Sequence, residues 1–137
     1  IGGLAYQQSK GVKSWAGDLT LDICRKKGLP VPDTGFTDSL HLSIGNKDIA
    51  LYYFGPAHSS DNIVVWIPSE KILFAGCMVK ELNAKTPGNL SDANLKEWPK
   101  TLKKLQVRFA DAKWVIPGHG ASGGPELISH TIEIVGQ

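Results

Sequence analysis

Between Ser39 and Ala75 the chain carries four β-patterned runs that fall into two pairs, each pair joined by a short turn signal, and this stretch limits the possible folds more than any other. Leu40, Leu42 and Ile44 alternate with Ser39, His41 and Ser43. That period of two marks a strand with one wet face. Gly45-Asn46 is a turn signal, and Ile49 to Phe54 follows as a second strand antiparallel to the first. Ile63 to Ile67 and Lys71 to Ala75 form another pair across Pro68-Ser69-Glu70. Their nearly continuous apolar runs predict strands covered on both faces. Successive hairpins of this kind do not suit a doubly wound parallel sheet.

Helical patterns flank this block. Gly2 to Lys10 reads as a short helix ended by Gly11, a residue suited to a left-handed cap. Val12 to Trp15 is a brief β-like run. Leu19, Ile23 and Lys27 share one helical face, and Gly28 with Pro30 stops that helix. Leu29 to Phe36, with Pro30, Pro32 and Gly35, reads as a loop. A helical stretch is predicted from about Asp92 to Phe109, interrupted near Trp98-Pro99 because proline suits a first turn and not a helix interior. Lys113 to Ile116 is a last strand, and Gly124-Pro125 opens a final helix to about Val135. The predicted class is α/β, a mixed sheet packed by helices.

A chain of 137 residues, 42% apolar and 20% charged, fits one domain with a real core. The formal net charge of +2 is too small and too dispersed to argue for nucleic acid or an acidic membrane face. The lysines from Lys96 to Lys104 alternate with apolar residues, as on a solvated helix face. No apolar run approaches membrane-spanning length. Two cysteines do not make a disulfide framework, and Cys24 within the second helix reads as a small buried thiol.

Three segments each lie just after a predicted strand: Gly55 to Asn62 with His58, Ala75-Gly76-Cys77, and Ile116-Pro117-Gly118-His119-Gly120. Loops held by a rigid sheet are common seats for ligands. Imidazole and thiolate are donors that zinc favours. The residue types leave two readings open: a zinc site, or turn histidines beside a buried thiol. His41 falls on the polar side of its strand, and His130 lies with Glu126 and Glu133 on the polar side of the last helix. Both read as structural.

Four blocks add a resemblance. Gly-Pro-Ala-His-Ser-Ser-Asp-Asn-Ile-Val-Val-Trp, Leu-Phe-Ala-Gly-Cys-Met-Val-Lys, Gly-Asn-Leu-Ser-Asp-Ala-Asn and Val-Ile-Pro-Gly-His-Gly occur in that order. Together they resemble the class B metallo-β-lactamases of the first, dizinc subclass, over essentially the whole chain. The resemblance implies an αββα sandwich with two zinc ions at one edge, of which residues 1–137 form the C-terminal portion. It makes His58 a ligand of the first zinc, and Cys77 and His119 ligands of the second. Lys80 matches the lysine that meets the substrate carboxylate. Asn89 matches the asparagine near the β-lactam carbonyl, its one catalytic assignment. The implied reaction is β-lactam hydrolysis by a water molecule that zinc activates. The implied location is the periplasm.

The family's remaining ligands come from a His-x-His-x-Asp motif, and this sequence has none. In the family that motif lies immediately before the segment resembling Ile1-Gly2-Gly3-Leu4. The expectation is that this portion alone holds one zinc or fewer, and that another segment or chain supplies the rest. The alternatives are a non-catalytic fragment with a residual zinc site, and a thioesterase of the glyoxalase II kind. Cys77 argues against the latter, since those relatives usually place aspartate as a bridging ligand.

Overall fold

The computed structural model describes residues 2–136. Ile1, the first residue of the segment set beside the family motif, and Gln137 lie outside them. The elements in order are α1 (Leu4–Ser9), β1 (Trp15–Gly17), α2 (Asp18–Lys26), β2 (Thr34–Phe36), β3 (Ser39–Ile44), β4 (Lys47–Tyr52), β5 (Val64–Ile67), β6 (Ile72–Gly76), α3 (Trp98–Arg108), β7 (Trp114–Pro117) and α4 (Glu126–Val135). Five strands form one sheet in the order β3-β4-β5-β6-β7. The first three pairings are antiparallel and β6-β7 is parallel. The mixed α/β class expected from the sequence is what forms.

The β3-β4 hairpin turns on Gly45 and Asn46, with Gly45 at φ 62°. That left-handed position favours glycine. Between β5 and β6 the turn ends on Lys71 at φ 55°, an uncommon value for a side-chain-bearing residue. The Lys71 carbonyl accepts the Lys113 N–H at 2.8 Å, tying this turn to the start of β7.

One face of the sheet packs on two helices. Ala50, Val64, Trp66, Leu73, Ala75 and Val115 meet Trp98, Leu102, Leu105 and Phe109 of the α3 region and Leu127, Ile128, Ile134 and Val135 of α4. The α3 residues recur at spacings of three and four, the stripe of an amphipathic helix. Burial on this scale contributes roughly 1.5–3 kcal/mol per large side chain.

The other face departs from the prediction of two-sided burial. By register, Val65, Ile67, Ile72 and Phe74 share it with Leu40, Leu42 and Trp114. Phe74 is 51% exposed and Trp114 53%. The apolar runs are real, but within residues 2–136 only alternate side chains are covered.

Other boundaries also differ from the sequence reading. β1 lies at Trp15–Gly17, and Thr34–Phe36 in the expected loop is a strand parallel to it. α3 begins at Trp98 with Pro99 in its first turn, and the residues before it form turns. Asn94 organises that entry: its carbonyl accepts the Trp98 N–H at 2.9 Å, and its Oδ1 accepts the Glu97 N–H at 3.1 Å. Cys24 is buried, as expected, and both cysteines are free thiols. Among the described residues no helix is long and apolar enough to cross a membrane.

Candidate metal centre

β6 and β7 are parallel neighbours, so the loops leaving their C-terminal ends emerge side by side. Cys77 follows β6 and His119 follows β7. The two loops touch at Gly118, where a methyl group would sit 2.5 Å from Cys77 N and Sγ and 2.7 Å from its Cα. Only a residue without a side chain allows this approach.

His58 sits on the loop between β4 and β5, and polar side chains hold that loop. Asn62 accepts the Ser59 N–H through Oδ1 at 3.0 Å and donates through Nδ2 to the Gly55 carbonyl at 3.0 Å. Thr101 of α3 donates to the Pro56 carbonyl at 2.8 Å. The Asn94 N–H donates to the Ala57 carbonyl at 2.8 Å. His58 packs edge-on against Trp98, with ring centroids 5.3 Å apart. Its pKa is held below the ordinary imidazole value, first by burial and then by the Lys80 ammonium; Asp92 opposes this, and His119 adds to it. His58, Lys80 and His119 therefore share one electrostatic neighbourhood.

Trp98 packs beneath His58 and Lys80, a role the sequence did not reveal. It is fully buried, and its indole N–H donates to the Met78 carbonyl at 2.9 Å. The Lys80 ammonium lies 5.6 Å from the Trp98 ring centroid, within cation–π range. Burial lowers the Lys80 pKa, and Cys77 partly offsets this. A methyl on Gly88 would lie 3.8 Å from Lys80 Nζ, so the ammonium rests beside the turn that carries Asn89. Asn89 itself is exposed, and its Oδ1 accepts the Ser91 N–H at 2.9 Å.

The two other histidines stand apart from this group. His41 is exposed and stacks edge-on with Tyr52 at 5.8 Å. His130 meets the Ala84 carbonyl through Nε2 at 2.9 Å.

The donors fit zinc in kind, being one half-buried thiol and two imidazoles. They do not complete a shell. Among the described residues, no three His, Cys, Asp or Glu side chains gather closely enough to hold a metal ion. The family pattern separates them in the same way, with His58 at one zinc and Cys77 with His119 at the other.

Comparison with known proteins agrees with this geometry. Residues 3–119 match the metallo-beta-lactamase superfamily, and the chain belongs to that family. Within it, the whole chain is 54% identical to a protein called metallo-beta-lactamase type 2 from Bacteroides fragilis, covering 55% of that protein. It is 37% identical over 132 residues to one of the same description from Pseudomonas aeruginosa, covering 52% of it. The fold superposes on a solved metallo-beta-lactamase from Pontibacter korlensis with a TM-score of 0.96 at 39% identity, covering all of this chain and 64% of that one. The chain thus spans about half the length of the curated relatives it matches.

Proposed function

We propose that residues 1–137 are the C-terminal portion of a single metallo-β-lactamase domain whose activity is zinc-dependent hydrolysis of the β-lactam ring. The observation that carries this reading is the meeting of the Cys77 and His119 loops at the ends of adjacent parallel strands, with His58 and Lys80 beside them. Cys77 and His119 would belong to one zinc and His58 to the other. Donors from outside the described residues would complete both shells. The ions, when bound, supply Lewis acidity and water activated near neutral pH.

The chain's own residues supply binding and orientation. Lys80 meets the substrate carboxylate as a point charge, from an ammonium held by Trp98 on one side and the Gly88 turn on the other. Asn89 stands where the lactam carbonyl oxygen gathers charge, and its side-chain N–H₂ is the donor for it. The Asn89 carbonyl oxygen, engaged with Ser91, sets which way the amide points. Trp98 and the Asn62 clamp keep water and loop motion from loosening His58. The apolar second face of the sheet suits a further layer of the sandwich. Export to the periplasm and a role in antibiotic resistance belong to the same proposal.

The test is Cys77→Ser in the full-length protein. Zinc per chain and turnover of a chromogenic cephalosporin should both fall, with the urea unfolding midpoint near the parental value. Parental zinc content and turnover in that variant would remove Cys77 from the metal shell. A parent protein that binds zinc but opens no β-lactam would refute the substrate assignment.

A further inference from the structure

Lys80 and Glu81 are sequence neighbours whose side chains go to different parts of the site. Lys80 reaches Trp98 and Gly88. The Glu81 carboxylate turns to the loop that follows β7, where Oε2 accepts the Ala121 N–H at 3.0 Å. Gly120 is left-handed at φ 80°, and a methyl there would fall 2.1–2.4 Å from the carboxylate atoms of Glu81. The carboxylate thus lies directly over the turn that comes just after His119.

The backbone beneath Glu81 is tied down as well. The Lys80 N–H donates to Thr131 Oγ1 at 2.8 Å, and Thr131 is fully buried in α4. His130, the next residue back, meets the Ala84 carbonyl. The Glu81 carbonyl accepts the Ala84 N–H at 3.1 Å. Two consecutive α4 residues therefore hold the segment from Lys80 to Ala84, and Glu81 carries that fixed point across to the His119 loop. A hydrogen bond from a backbone amide to a carboxylate is shorter and stronger than a neutral one. His119 is itself exposed.

We infer that Glu81 is a positioning residue for His119, setting the loop after β7 so that the imidazole faces the metal. The inference rests on the reading of His119 as a metal ligand. It also links the two sides of the site, since the segment that carries Lys80 toward substrate is the one that steadies the metal-side loop.

The experiment uses full-length protein with Glu81→Ala and Glu81→Gln, and Co²⁺ as the probe metal. Amide hydrogen exchange at Ala121 is measured without metal, then Co²⁺ affinity by titration, then kcat and KM separately. In Glu81→Ala, Ala121 should exchange at least about tenfold faster, and Co²⁺ should bind roughly 10–100-fold more weakly, the range for loss of an outer partner of a ligand. kcat should fall with KM near the parental value, and the unfolding midpoint should be retained. Glu81→Gln keeps a carbonyl acceptor and should recover most of each property. If the parent opens no β-lactam, the proposed function falls, while Ala121 exchange and Co²⁺ affinity still decide the role of Glu81. Parental Ala121 exchange and Co²⁺ affinity in Glu81→Ala, or no recovery in Glu81→Gln, would overturn it.

Discussion

Gly118→Ala isolates the contact that sets the Cys77 and His119 loops together. Gly118 is not among the glycines with positive φ, so alanine brings no backbone strain there. The whole effect is steric. The added methyl would stand 2.5 Å from Cys77 N and Sγ, about 0.9 Å inside the 3.4 Å at which ordinary contact begins. Two of the three nearest atoms are backbone, so rotation of the cysteine side chain cannot relieve the overlap. The loops must part by about 1 Å. Overpacking of this kind costs roughly 1–3 kcal/mol. A displacement of about 1 Å in a site can cost on the order of 100-fold in function. Urea unfolding reads the first quantity. Co²⁺ titration, followed by the cobalt–thiolate charge-transfer band, reads the second. Gly2→Ala is the control, because a methyl at Gly2 meets nothing within 4 Å. Its stability should stay within about 0.5 kcal/mol of the parent. Parental stability and Co²⁺ affinity in Gly118→Ala would refute the idea that this close approach positions the thiolate.

Three more outcomes are expected. Lys80→Ala in the full-length protein should raise KM for carboxylate-bearing β-lactams by roughly 10–100-fold, the value of a charge-assisted hydrogen bond, with zinc content unchanged and a smaller effect at high salt; steady-state kinetics across a salt series checks it, and an unaltered KM at low salt counts against the assignment. Asp33→Ala should lower the melting temperature at pH 7, because hydrogen bonds from the Ser14 hydroxyl and N–H hold the Asp33 pKa below the ordinary aspartate value. A depressed carboxylate pKa stabilises the fold above the unfolded value and loses that contribution as pH falls through the folded one, so the gap between variant and parent should begin to narrow as pH drops below the ordinary aspartate value and close only below the depressed one, as thermal scans would read. A polypeptide of residues 1–137 alone should bind at most one zinc, weakly, and associate through the face bearing Phe74 and Trp114; elemental analysis showing two tightly held ions, or sedimentation showing a stable monomer, would contradict this.

The hairpin block was legible because its signals are local. Alternation from Ser39 to Ile44 and the Gly45-Asn46 turn place β3 and β4 without reference to the rest of the chain. β2 was not legible, because Thr34-Gly35-Phe36 sits among prolines and glycines and becomes a strand only through pairing with β1. The start of α3 was blurred for a similar reason: Pro99 marks a first turn, but the turns ahead of it depend on Asn94 meeting Ala57. Hydropathy also overstated burial in β5 and β6, since apolar side chains do not say which face is covered. In the site, His58, Cys77 and His119 entered through ordered block similarity and not through spacing. Trp98 and Glu81 stayed hidden because their roles are contacts with residues about 20 and 40 positions away.

The parallel pairing of β6 and β7 also bears on the order in which the molecule assembles. Strands β3 and β4, and strands β5 and β6, are joined by short turns and can form as hairpins on the microsecond scale typical of such units. β7 cannot join that way, because β6 ends at Gly76 and β7 begins at Trp114, with α3 between them. Its docking closes a long loop, and such non-local pairings are the slow ones. Cys77 and His119 are strangers until that closure. The Cys77–His119 half of the centre therefore forms only when β7 docks, after the hairpins. Nascent chains should collapse and acquire most of their secondary structure well before they can grip an ion, and metal uptake should lag behind folding as a separate kinetic phase.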